Sequence, residues 1–208
     1  MKPNLKIIVL CSMQKALLFL FFITLSSSCG PADDDDNYTP KPQGYYRIDL
    51  PPHKYEQLDT VDFPYTFQYS TMARALIERE QYTEPYWINI AYPTLKAKIY
   101  LSYKTVGGKN NLNSLLEDTR SMVYKHTVKA DDIRERAYGN PDKKVYGNMY
   151  EIGGNAASSL QFYVTDSTKH FLRGALYFYC LPNADSLAPV ISYVKQDIAH
   201  LMETVEWR

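Results

Sequence analysis

Cysteine is scarce here: three in 208 residues, with Cys11 and Cys29 close to the start and Cys180 alone in the remainder. A single thiol closes no internal disulfide and builds no thiolate zinc site. Ending an apolar run, Cys180 is expected to be a buried thiol. The four histidines, His53, His126, His170 and His200, never fall at His-x-x-x-His spacing, so neither a metal nor another cofactor is expected. Gly107-Gly108 leads into no Gly-Lys-Ser/Thr, which excludes a phosphate loop, and no Gly-x-Ser-x-Gly elbow exists. An excess of positive charge is missing as well. Lys2, Lys6 and Lys15 precede residue 29, which leaves 20 of the 23 basic residues against 23 acidic ones in the rest. A mildly acidic body lacks the basic face that nucleic acid or anionic lipid requires.

Long apolar runs are also absent. The longest, Ala16 to Leu25, has about ten residues, half of the roughly 20 a membrane-spanning helix needs. With Lys15 before it and Ser26-Ser27-Ser28 after it, residues 1–28 read as a secretory signal. Met13 is the expected true start, because the preceding residues duplicate a signal's beginning without adding a processing site. Cys29 follows the small residues as in a bacterial lipobox, so lipidation of Cys29 is expected to anchor the chain in a membrane. Asp33 to Asp36 then form a self-repelling, solvated run. Residues 29–44 are read as a lipidated N-terminus with an acidic, proline-containing tether, and 45–208 as one globular domain. The acidic run resembles surface-export signals of Bacteroidota lipoproteins, yet a periplasm-facing position in the cell envelope is the preferred expectation.

Tyrosine is abundant, 19 against 8 phenylalanines, which suits half-exposed sheet faces and contact surfaces. Strands are expected at 45–50, 63–69, 87–92 and 96–103, the last with Ala97, Ile99, Leu101 and Tyr103 on one face; residues 72–80 carry no clear pattern. Leu112, Leu115, Leu116, Met122 and Val123 predict a helix capped by Asn111 or Asn113, and a shorter helical piece is read at 130–138. Strands at 145–152, 158–165 and 170–180 form a meander. Leu187, Val190, Ile191, Val194, Ile198, Leu201, Met202 and Val205 mark a closing helix, capped by Asp185 or Ser186 and pinned by Trp207. The fold class is therefore α+β, an antiparallel sheet packed by two main helices, similar to the αβα sandwich of the Mog1/PsbP type.

Several residues merit attention as chemistry. Asp166, Ser167 and His170 hold a carboxylate, a hydroxyl and an imidazole within five positions, but Asp-Ser-Thr also suits a tight turn. Glu117-Asp118 point about 100° apart on a helix, and are read as a solvated face. Arg173 sits inside an apolar strand and needs a carboxylate, from Glu117 or Asp118, or else an acidic group brought by a partner. Lys125, His126 and Lys129, together with Asp166, Lys169, His170 and Arg173, are the candidate contact residues.

KPQGYYRIDLP (41–51), WINI (87–90), LSYK (101–104), EDTR (117–120), KHTVKA (125–130), TDSTKHFLRGALYF (165–178) and PNADS (182–186) resemble the gliding-motility lipoprotein GldD family of Bacteroidota. The resemblance implies an envelope lipoprotein required for gliding, working with other gliding-motility lipoproteins and type IX secretion components through protein–protein contact, without catalysis. The twelve residues before Met13 depart from the family's short signal. A periplasmic small-molecule or glycan-binding module, with Arg173 and tyrosines lining a pocket, is the alternative.

Overall fold

The computed structural model describes Gly44 and residues 47–60, 62–77, 84–108 and 110–208. The signal, Cys29, the acidic run and the Met13 start lie outside the described residues. The chain divides into a unit of residues 1–44 and a unit of 45–208. No helix among the described residues is long and apolar enough to cross a membrane.

The second unit is α+β, built on one seven-stranded antiparallel sheet in the order β4-β5-β6-β10-β9-β8-β7. Its strands are β4 (Arg74–Ile77), β5 (Ile88–Tyr92), β6 (Ala97–Thr105), β7 (Ala130–Asn140), β8 (Val145–Gly154), β9 (Ser158–Thr165) and β10 (His170–Phe178). Two small pairs flank it: β1 (Tyr55–Gln57) with β3 (Gln68–Ser70), and β2 (Tyr65–Thr66) with β11 (Glu206–Trp207). Helix α1 spans Leu112–Tyr124 and runs into a 3-10 turn at Lys125–Val128; α2 spans Ala184–Thr204.

Side chains on a strand alternate between faces, and the two faces of this sheet differ. The inner face carries Ile88, Ile90, Tyr92, Ala97, Ile99, Leu101, Tyr103, Leu160, Phe162, Val164, Leu172 and Leu176, all buried. Helix α2 seals it with Val190, Val194, Ile198, Leu201 and Met202. Each such aliphatic side chain, fully buried, contributes about 1.5–3 kcal/mol. Gly174 lies mid-strand between its cross-strand neighbours Leu101 and Phe162. A Cβ there would stand 2.2 Å from Phe162 Cε1 and 2.9 Å from Leu101 Cδ2. The missing side chain is what lets the Phe162 ring lie across β10.

The outer face is covered unevenly. Helix α1 buries only Leu115, Thr119 and Val123, and its Val123 joins Tyr150, Ile152 and Ala156, with Ile133 and Tyr163 packed around them. That cluster sits over β7, β8 and β9. The outer face of β4, β5 and β6 bears no helix among the described residues.

Several expectations change. Residues 130–138 form a strand, not a helix: Ala130, Ile133 and Ala137 mimic helical spacing because β7 is an exposed edge strand with a register shift between Ala130 and Ile133. Such irregularity breaks the period-two pattern that would betray a strand. The 63–69 run is split at Phe67 into β2 and β3, which pair with different partners. No strand forms at 47–50, with residues 45 and 46 outside the described set, whereas the patternless 72–80 stretch contains β4. Cys180 is exposed rather than buried. Met122 is 41% exposed and does not join α1's inner face. Asn183, not Asp185 or Ser186, caps α2, its side chain accepting from the Ser186 N–H. Trp207 does tie down the chain after α2: its indole N–H donates to the Lys144 carbonyl at 3.2 Å.

Candidate functional site

The candidate contact residues separate into two places. The turn at 166–169 closes β9 and β10 beside the start of β8, where Tyr146 pairs with Thr165. Lys129 precedes Ala130, which pairs with Gly154 at the opposite end of β8. Lys125, Lys129 and Lys169 are exposed.

At the turn, one Asp166 carboxylate oxygen accepts the backbone N–H groups of Thr168, Lys169 and His170 at 3.0, 2.8 and 2.7 Å, and the other accepts the Thr168 hydroxyl at 2.7 Å. Burial alone would raise this carboxyl, but the four donors outweigh it and hold it down at about 2. Ser167 takes the left-handed conformation that the tight turn demands, φ 67°. His170 points elsewhere. Its Nδ1 bonds the Tyr103 hydroxyl at 2.7 Å and its ring stacks on Trp207 at 5.1 Å and 7°. Burial lowers its pKa, opposed by Asp166 and reinforced by Lys169. The Asp166, Ser167 and His170 side chains therefore do not line up as a relay. Lys143, Lys144, Lys169, Glu206, Trp207 and Arg208 frame an open groove of about 600 Å³ at this end, and Lys143 is paired with Glu206 at 2.9 Å.

On the outer face, Arg173 is mostly buried. Its Nη2 donates to Gln161 Oε1 at 2.6 Å. The Arg173 Nε and the Gln161 Nε2 are buried donors with no hydrogen-bond partner among the described residues. The expected pairing with Glu117 or Asp118 does not form; both are exposed on α1, whose inner face is Leu115, Thr119 and Val123. Burial lowers the guanidinium's pKa, and the Tyr177 phenol pulls the other way. His126 lies close enough to respond to it: burial first, then the Arg173 charge, lowers the pKa of its imidazole.

Beside Arg173, the outer face of β6 and β10 carries a tyrosine cluster. The Tyr100 and Tyr179 hydroxyls bond at 3.1 Å, Tyr177 meets Tyr100 edge-on at 5.7 Å, and the Lys98 ammonium lies 4.8 Å from the Tyr100 ring centre. Tyr100 is 40% exposed, Tyr179 60% and Leu76 47%.

A third constellation is absent from the sequence reading. Asp197 of α2 is 2% exposed, accepts the Tyr92 hydroxyl at 3.0 Å and meets His53 Nδ1 at 2.7 Å. Four rings form a ladder above it. Tyr193 and His200, two helical turns apart on α2, enclose His53 and Tyr55 from the segment entering the domain. Successive centroid distances are 4.1, 6.1 and 3.6 Å, with interplanar angles of 12–16°. Burial and then Asp197 push the Tyr55 phenol up to about 12, and the same causes hold Tyr92 far above the ordinary tyrosine range. His200 is thus engaged, bonding Gln68 at 2.8 Å. The signal was present in the sequence: Asp197 lies three residues after Val194 and four before Leu201, a carboxylate inside an apolar stripe.

A family model described as "Gliding motility lipoprotein GldD" matches residues 35–207. No curated protein matches the chain. Among solved structures, the solution structure of cyanobacterial PsbP (CyanoP) from Synechocystis sp. PCC 6803 is similar at 10% identity and TM-score 0.47, covering 78% of this chain and 98% of that one.

Proposed function

The chain belongs to the GldD family of gliding-motility lipoproteins, and from that premise we propose that its folded unit serves gliding and type IX secretion by protein–protein contact, not by catalysis. The lipid sits on Cys29, the acidic 29–44 segment gives reach, and the domain works facing the periplasm. Gliding-motility lipoproteins and type IX secretion components are its partners. The observation that carries this reading is the uneven cover of the sheet. Helix α2 seals one face, while α1 leaves Leu76, Tyr100 and Tyr179 exposed together on the other. Amphipathic rings of this kind favour association surfaces, where the ring body is apolar and the hydroxyl finds a polar partner. The relay chemistry weighed from the sequence has less support, since Asp166 is occupied by its own turn.

The test is the double variant Tyr100→Ser/Tyr179→Ser. Both side chains are exposed, and the variant gives up their mutual hydrogen bond and the ring contacts with Tyr177 and Lys98, so the domain should stay folded with a modest fall in melting temperature. Gliding and co-purification of envelope partners should fall sharply. Normal gliding with normal co-purification would remove the contact reading.

A further inference from the structure

We propose that the outer face around Arg173 is a docking site for a carboxylate, supplied by an acidic segment of a partner protein. The inference rests on the contact reading above and names the chemistry that the contact selects.

The charge pattern carries it. On the outer face of β4, β5, β6 and β10, the register aligns Arg74, Lys98, Lys104 and Arg173 and places no acidic residue there. Lys104 is satisfied by Glu84, and Lys98 lies against tyrosine rings. Arg173 makes no ion pair among the described residues. Its Nε is a buried orphan, and beside it the fully buried Gln161 spends its carbonyl on Arg173 and leaves Nε2 unpaired. A buried donor without an acceptor is costly, the more so when charged, and these two belong to residues already bonded to each other, which favours an anion brought to them. A guanidinium presents donors in a planar fork that a carboxylate matches with two parallel bonds. Burial and then the Arg173 charge lower the pKa of the neighbouring His126, which disfavours a second cation beside the guanidinium. The position fits docking: Arg173 is on β10, between the half of the face that α1 shelters and the half that bears no helix. A partner lying on Leu76, Tyr100 and Tyr179 would bring a glutamate or aspartate to that border.

The experiment titrates the full chain in detergent, labelled with ¹⁵N, with an acetylated tetraglutamate peptide, its tetraglutamine counterpart, sodium acetate and inorganic phosphate. The glutamate peptide should shift the Arg173 Nε–H and Gln161 carboxamide resonances together with the Tyr100 amide. Acetate should move only the first two, at higher concentration, and tetraglutamine none. Arg173→Met leaves the buried Gln161 carbonyl without its donor and so should lower the melting temperature; with its native fold checked by its amide spectrum, it should weaken the peptide at least tenfold. Peptide binding that survives Arg173→Met overturns the proposal. So does phosphate or acetate binding as tightly as the peptide, which would point to a small-molecule anion site. Loss of peptide binding in the native chain, with gliding still abolished by Tyr100→Ser/Tyr179→Ser, would remove the carboxylate and leave the contact reading standing.

Discussion

Asp197→Ala is expected to destabilise the domain by about 2–5 kcal/mol, since it removes two hydrogen bonds to a buried carboxyl group and each such loss costs roughly 1–3 kcal/mol. The side chain is 2% exposed and serves two partners, His53 Nδ1 at 2.7 Å and the Tyr92 hydroxyl at 3.0 Å. Alanine strands the Tyr92 hydroxyl within the core and frees His53, which then holds only its ring contacts with Tyr193 and Tyr55. The damage should spread along the entering segment, because the backbone bond from the Thr71 N–H to the Lys54 carbonyl at 2.9 Å depends on it. Asp197→Asn keeps the shape and one acceptor, so a smaller loss of about 1–3 kcal/mol is expected. Urea unfolding measures both variants, and hydrogen exchange at Thr71 reads the loosening directly. A loss below 1 kcal/mol for alanine would show that this pair is not what fastens the segment to α2.

Gly174→Ala is expected to cost at least the roughly 1–3 kcal/mol typical of overpacking. A new Cβ would stand 2.2 and 2.3 Å from two carbons of the Phe162 ring and 2.9 Å from Leu101 Cδ2. Phe162 and Leu101 are 0% and 2% exposed, so neither can move aside without disturbing the layer under α2. The companion change Phe162→Leu alongside Gly174→Ala should recover part of the loss, since it withdraws the ring that the methyl strikes. Thermal unfolding of the two variants decides it, and a stable Gly174→Ala single variant would mean that the ring does not lie over the glycine.

Both effects show what was legible in the residues and what was not. Strict alternation in Ala97, Ile99, Leu101 and Tyr103 gave β6, because one face of that strand is sealed and the other is polar. The stripe of α2 was equally clear, since a helix lying across a sheet needs a continuous apolar face. What escaped was decided by tertiary context. Strand β7 has little buried surface to impose a period, so its sparse apolar residues imitated a helix. Asp197 interrupts an apolar stripe, and its meaning depends on His53, which lies 144 positions away. Arg173 was legible as an unusual cation, but the assignment of Glu117 or Asp118 as its partner failed because α1 turns both carboxylates toward solvent. The candidate residues near 125–129 and 166–169 looked like one region in the sequence, and the ladder of β8 sets them at opposite ends.

The proposed role is that of a membrane-anchored contact protein of the gliding apparatus. The measurement that tests it most directly is affinity recovery of the full chain from native membranes, followed by mass spectrometry, against a Cys29→Ala control. Gliding-motility lipoproteins or type IX secretion components should come down with the native chain and be lost with Cys29→Ala. Recovery of no such component with the native chain, or equal recovery with the control, would contradict the account.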